Sequence, residues 1–424
     1  MVVRSVSAIR RGALSIEDGK TMQVAATSAL ELRIPVVMVL ASSGADVSDG
    51  VASLHGWGQA ARALTACSGI VPVVVVVTGP TLSGPALMLG LADLVVMTSE
   101  AFAFVSGPAM VEEFTGVRIG IHQLGGTSMH ARSSGLCAIE AISEEDAMAH
   151  VDYLLGLLPA NADDLAPLGP VDVPFATSGP EAKALRDLIP TRATSSYDVR
   201  RVAAALADDG EVTELWTRWS PQLVTALGRI GGRSVGFVAN QPQALAGTLD
   251  IAASQKGARF VRFCDSFNLP LVTLVDTPGF LPGKDLEWRG MIRHGAELAF
   301  AYAEATVPRV CVILRKAFGG AYIVMDSKGL GNDLCFAWPG AEIAVMGAEG
   351  AVQILHRRSA PEEQETLREE YAERFLTPWQ AAERGFVDAV IDPDDTRRVV
   401  ADALRALETS REYLPGRKHT VGPL

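Results

Sequence analysis

Hydrophobic residues in this chain gather into short unbroken runs, separated by longer stretches in which apolar positions recur every three or four residues. The most apolar run, residues 70–77 with Pro72 inside it, and the run 310–314 predict strands buried on both faces, since a half-exposed strand would alternate apolar with polar. Segments such as 56–65 and 291–305 carry helical spacing. Strands bracketing helices predict repeated β-α units with turns between each strand and the next helix.

The chain also repeats itself. "RIPVVMVLASSG" (33–44) parallels "NLPLVTLVDTPG" (268–279), with Pro35 matching Pro270 at an offset of 235. "IVPVVVVVTGPTLSGPALM" (70–88) parallels "TVPRVCVILRKAFGGAYIV" (306–324), with Pro72 matching Pro308 and Gly84 matching Gly320 at 236. "LADLVVM" (91–97) parallels "GNDLCFA" (331–337), and the pairs Asp93/Asp333 and Gly107/Gly347 both stand 240 apart. One small insertion accounts for the step. Two tandem α/β domains are therefore expected, over 1–175 and 196–424, with the Pro-, Ala- and Ser-rich segment 156–197 as a linker or irregular crossing. Residues 223–240 look like a strand pair ahead of Gly247, whereas the matching Gly12 has only eleven residues before it. The first domain is expected to be shortened at its start, leaving a sheet edge exposed or covered by another segment.

Composition narrows the function. With 424 residues, 48% hydrophobic and 20% charged, the chain can bury large cores. A net charge of −12 argues against nucleic acid or an anionic membrane as the main partner. The expected setting is cytoplasmic: no apolar run has the length of a membrane span, and the first twenty residues lack the apolar centre of a secretory signal. Five scattered cysteines without a Cys-x-x-Cys pair indicate neither a zinc site nor a disulfide framework. "GKT" at 19–21 is not a phosphate loop, because Leu14 stands where a glycine is required. The charged run 357–374 reads as a solvated helix, and His130 as a structural hydrogen-bonder.

The chemistry then falls on residues without functional groups. Gly319-Gly320-Ala321 comes shortly after a buried-looking run, and Leu82-Ser83-Gly84 does so in the first half. A glycine turn entering a helix leaves the first N–H groups without helical acceptors, and preorganised donors of that kind stabilise a developing oxyanion. Two such turns suit a reaction with two enolate-like partners.

The stretches "GGRSVGFVANQPQALAGTLD", "KGARFVRFCDSFNLPLVTLVDTPGFLPG", "RKAFGGAYIVM", "AWPGAEIAVMGAEGAV" and "PWQAAERGFVDAVI", together with "SGPAMVEEFTG" and "LGGTSMHARSSG", resemble the β-type carboxyltransferase subunit of biotin-dependent acyl-CoA carboxylases, the acetyl-CoA and propionyl-CoA carboxylase group. The resemblance covers most of residues 12–424 and implies two crotonase-like domains, acyl-CoA held mainly by the first and carboxybiotin mainly by the second. It implies carboxyl transfer from biotin to the α-carbon of a short-chain thioester, acetyl-CoA giving malonyl-CoA for fatty-acid or polyketide synthesis, and use of propionyl-CoA, giving methylmalonyl-CoA, as well. Gly320 and Ala321 N–H groups would hold the biotin oxygen, and Ser83 and Gly84 N–H groups the acyl-CoA oxygen. Gly319, Tyr322, Ile323 and Gly107 would contact substrate. Biotin would come on a separate carrier, made by a biotin carboxylase partner, and the chain would form a dimer or a trimer of dimers without a metal of its own. Two departures concern the first half: Ser83 replaces a glycine, and Asp46 stands where the family has an arginine. They leave two alternatives open, a biotin-independent crotonase-type enzyme and a non-catalytic scaffold.

Overall fold

A computed structural model of the chain describes residues 1–169, 185–190, 192 and 195–423. Part of the expected linker, 170–184, lies outside the described residues, as do 191 and 193–194. The chain forms two compact units: Met1–Pro167 with Leu215–Trp219 and Ser266–Asn268, and Leu168–Glu214 with Ser220–Asp265 and Leu269–Leu424. Two short segments from the second half thus belong to the first unit. One is held by the Trp216 N–H donating to the Ala138 carbonyl at 2.9 Å and by the pair Arg218–Glu140 at 2.7 Å.

The first unit carries the strands β1 (Val2–Arg4), β2 (Val36–Ser42), β3 (Val73–Leu82), β4 (Leu94–Thr98), β5 (Phe102–Phe104) and β6 (Ile139–Ala141). They form a six-stranded parallel sheet ordered β1-β2-β3-β4-β6, with β5 pairing the far end of β3. The second sheet takes β7 (Val212–Leu215), β8 (Leu223–Ile230), β9 (Arg233–Asn240), β10 (Leu271–Thr277), β11 (Arg309–Phe318), β12 (Leu334–Ala337), β13 (Glu342–Ala344) and β14 (Ala389–Val390). Its order is β14-β12-β11-β10-β9-β8-β7, with β13 on the end of β11 and β8 antiparallel to β9. All seven residues of β2 and all seven of β10 are buried, as the unbroken apolar runs require of inner parallel strands.

The internal repeat extends to the ladders. Val2 pairs Val37 where Phe237 pairs Val272, and Pro80 pairs Phe102 where Lys316 pairs Glu342. The β2–β3 register slips between Leu40 and Ser42, and the β10–β11 register slips between Val275 and Thr277, the matching position. The conserved spacing of Asp93 and Asp333 also has a structural cause: each carboxylate accepts the N–H that starts the central strand, Val73 at 2.9 Å and Arg309 at 2.8 Å. Residues 2–4 supply a counterpart to β9, but among the described residues no strand pairs the outer side of β1 as β8 pairs β9. Val2, Val6 and Ile9 there are exposed.

Helices Ile16–Leu32 and Val51–Cys67 cross at Gly19 and Gly56, where a Cβ on Gly19 would lie 2.2 Å from the Gly56 carbonyl carbon. Only glycine permits that approach, and it fixes where the second helix carries Trp57. In the second unit, a buried polar cluster anchors the segment after the helix Gly319–Val324. Arg309 donates to Asp326 at 2.9 Å and to the carbonyls of Leu330 (3.3 Å) and Gly331 (2.6 Å), while Thr273 lies 2.9 Å from the Tyr302 hydroxyl and 3.4 Å from Asp326. Burial pushes the Asp326 carboxyl up to about 6 against the pull of Arg309. Replacing Arg309 by Met strands that carboxyl and should lower unfolding stability in urea by about 3–5 kcal/mol at pH 8. The loss should shrink at pH 5, where the carboxyl holds its proton, and the double variant Arg309→Met with Asp326→Asn should recover most of it.

Candidate active site

Each central strand ends in a backbone reversal followed by a short helix. At the end of β3, Ser83 has φ 59° and ψ −131° and the helix Gly84–Met88 begins; at the end of β11, Gly319 has φ 59° and starts the helix Gly319–Val324. The Ser83 conformation is one that glycine adopts freely and a side chain resists. Ser83 therefore keeps a glycine geometry without being glycine.

The two turns differ in the donors they present. The Ser83 N–H, expected to face substrate, instead donates to the Phe104 carbonyl on β5 at 3.0 Å. That bond extends the β3–β5 ladder and withdraws Ser83 from the donor set. Gly84 is the match of Gly320, and the next position is Pro85 in the first turn but Ala321 in the second. Proline has no N–H. The second turn thus offers two first-turn N–H groups, Gly320 and Ala321, and the first turn only Gly84.

An aromatic ring lies against each turn. A Cβ on Gly84 would meet Trp57 Nε1 at 2.7 Å, whereas a Cβ on Gly320 would lie 3.6 Å from the Phe280 ring. The Trp57 Nε1 is sealed from solvent and has no hydrogen-bond partner. The sequence reading missed Trp57; its only signal was a large donor-bearing ring set between Gly56 and Gly58.

The remaining expected residues divide. Ala321 is fully buried, and Tyr322 is nearly so, with burial pushing its hydroxyl pKa far up. Ile323 is 44% exposed beside them. Gly107 precedes the helix Pro108–Thr115 as Gly347 precedes Ala348–Leu355, both with extended backbone, so the glycine match is one of position rather than of a left-handed turn. Around both turns the same positions expose apolar side chains: Leu87 and Ile323, Val105 and Val345, Phe114 and Ile354.

His130 is buried, with Nε2 2.8 Å from the Ala103 carbonyl and Nδ1 2.7 Å from the Ser134 hydroxyl, and burial lowers its pKa. Asp46 caps the turn at Val47–Asp49 through Ser48 and pairs with Arg10; Ser48 and Arg10 hold its carboxyl down to about 2. It is a structural carboxylate. A cavity of about 440 Å³ opens beside β1 between Val3, Ile9, Met22, Met38 and Asp46, and neither Ser83 nor Gly84 lines it.

Residues 1–421 match the carboxyl transferase domain family. The chain belongs to that family. This carboxyl transferase is 44% identical over 412 residues to the propionyl-CoA carboxylase beta chain of Saccharopolyspora erythraea, covering 93% of this chain and 76% of that one. It is 42% identical over 397 residues to the methylmalonyl-CoA decarboxylase subunit alpha of Veillonella parvula, covering 93% and 77%. A solved transcarboxylase 12S structure, a hexamer with methylmalonyl-CoA and methylmalonic acid bound, shares 41% identity and a TM-score of 0.96, covering 99% of this chain and 81% of that one. The α/β architecture with parallel sheets is close to that structure, and no helix among the described residues is long and apolar enough to cross a membrane.

The strain at Ser83 is directly measurable. Ser83→Gly should raise stability by about 1 kcal/mol in urea, whereas Gly319→Ala, which places a Cβ 3.1 Å from the Val345 carbonyl at the same positive φ, should lower it by about 1–3 kcal/mol. A neutral Ser83→Gly would mean that the serine conformation is unstrained.

Proposed function

We propose that this carboxyl transferase moves a carboxyl group from biotin on a separate carrier protein to the α-carbon of a short-chain acyl-CoA, with acetyl-CoA and propionyl-CoA as acceptors. The observation that carries the reading is the strand–reversal–helix turn at Gly319-Gly320-Ala321, repeated at Ser83-Gly84-Pro85 in a chain of this family. Names among the relatives support the acceptor class: one similar protein, at 42% identity over 408 residues, is the biotin-dependent acetyl-/propionyl-coenzyme A carboxylase beta5 subunit of Mycobacterium tuberculosis.

Biotin supplies the carboxyl group and, when that group leaves, an oxygen that gathers negative charge. The chain's part is electrostatic. The N–H groups of Gly320 and Ala321 sit at fixed positions on a helix start, so they need no reorganisation as charge develops. Gly84 serves the thioester oxygen in the first unit. Gly319 sets the direction of the second turn through its positive φ, and Gly319 and Tyr322 are the proposed substrate contacts beside it. Ile323 presents an apolar branched surface where substrate is expected.

The apolar positions exposed around both turns are the proposed contact between copies of this chain, consistent with the hexamer of the transcarboxylase 12S structure. A biotin carrier and the carboxylase that charges it are the remaining partners. The crotonase-like reading of each unit, with boundaries at 1–175 and 196–424, rests on the repeated strand, reversal and helix.

Ala321→Pro removes a donor while keeping a small side chain. It should lower transfer by about 100-fold or more and leave acyl-CoA binding near wild type, while Ala321→Ser, which keeps the N–H, should lose under about 5-fold. Equal effects of the two would contradict a backbone mechanism. For the acceptor, Ile323→Asp should depress kcat/KM for acetyl-CoA more than for propionyl-CoA. An unchanged ratio would remove Ile323 from the acyl contact.

A further inference from the structure

The first turn is one backbone donor short, and the deficit has a local answer. Pro85 takes the position of Ala321, so the N–H that the second turn presents there is absent from the first. The Ser83 N–H cannot replace it, being bonded to the Phe104 carbonyl. Against the remaining donor, Gly84, lies Trp57, with its pyrrole edge closest: Nε1, Cε2 and Cδ1 would stand 2.7, 2.9 and 3.1 Å from a Cβ on residue 84. The indole N–H is sealed from water and unpaired. A buried donor without an acceptor is unfavourable in the free protein, and an oxygen brought by a ligand would satisfy it.

The other unit supplies the control. There a ring also lies near the glycine, but it is Phe280, from the segment after β10 rather than from the position matching Trp57; it has no donor, and the turn beside it has Ala321 with its N–H. A ring alone is thus enough for packing. A donor-bearing ring accompanies the turn that has lost its backbone donor.

We infer that the Trp57 indole N–H, sealed in the free protein, is uncovered when acyl-CoA binds beside Gly84 and then acts as a catalytic hydrogen-bond donor to the thioester oxygen, in a turn where Pro85 supplies no N–H. This rests on the carboxyl-transfer reading above. As the α-proton passes to the biotin nitrogen that has given up its carboxyl group and before the α-carbon bonds to that group, negative charge rests on that oxygen, and Trp57 and Gly84 together form the pair of donors that Gly320 and Ala321 form in the second turn. Trp57 itself undergoes no covalent change. The same contact accounts for glycine at 84, since any side chain there would displace the indole.

The test is Trp57→Phe in the full chain, which keeps a ring against Gly84 and removes only the donor. With carboxylated biotin carrier and acetyl-CoA, kcat should fall by about 100-fold, the scale for one lost oxyanion donor, with KM within about two-fold. Decarboxylation of the carrier in the absence of acyl-CoA should be unaffected. Adding Pro85→Ala to Trp57→Phe restores a backbone N–H and should recover part of the lost kcat. In protein carrying ¹⁵N-labelled tryptophan, the indole resonance that vanishes in Trp57→Phe should shift on adding acetyl-CoA and stay put on adding CoA, which lacks the carbonyl. A kcat within about three-fold of wild type, an equal loss in the decarboxylation, or the same resonance shift with CoA would overturn the assignment. If the wild-type chain carboxylates no acyl-CoA, the functional reading fails, and the indole resonance still decides whether Trp57 meets a thioester.

Discussion

A single backbone reversal, at φ 59° between the end of a central strand and the start of a short helix, sets the position of everything else at both turns. It lets the strand run to its full length before the short helix begins. The surrounding ladder holds it in place. β5 and β13 pair the ends of β3 and β11, and the register slips at Leu40/Ser42 and Val275/Thr277 let the neighbouring strands accommodate the ends. A serine persists in this conformation because its N–H closes the ladder at Phe104, so the context over-determines a geometry that the side chain disfavours.

The two units have kept their scaffold parts alike and let their chemical parts diverge. Asp93 and Asp333 anchor the same strand start, and Gly12 and Gly247 both take positive φ at the same approach to the sheet. The donors do not match in the same way: where the second turn has Gly320 and Ala321, the first has Gly84 and Pro85, and the ring against Gly320 is Phe280 where the ring against Gly84 is Trp57. Divergence of this kind suits two turns that serve different oxygens.

Much of this was legible in the sequence because glycines and prolines fix backbone positions that the repeat preserves. The matches Pro35/Pro270, Pro72/Pro308 and Gly84/Gly320 located the strands and the turns, and unbroken apolar runs identified the inner strands. Ser83 was legible as a departure but its positive φ was not, since a serine does not announce a glycine conformation. Its committed N–H was also invisible, being decided by β5 across the sheet. The segment 1–11 reads too short for a hairpin, and it contributes a single parallel strand whose pairing depends on β2. The exchange of Leu215–Trp219 into the first unit follows from tertiary bonds such as Trp216 to Ala138, which have no local pattern. Trp57 escaped for the same reason: only the close crossing at Gly19 and Gly56 brings its helix to the turn.

The central claim is that preorganised backbone donors at duplicated turns carry a carboxyl group from biotin to a thioester, and its most direct measurement is label transfer by the unmodified chain. Purified protein is mixed with carrier bearing ¹⁴C-carboxybiotin and with acetyl-CoA or propionyl-CoA, and the thioesters are separated and counted. The account predicts acid-stable label on malonyl-CoA and methylmalonyl-CoA, appearing at the rate at which it leaves the carrier. Label lost only as CO2, with none on either thioester, would contradict it.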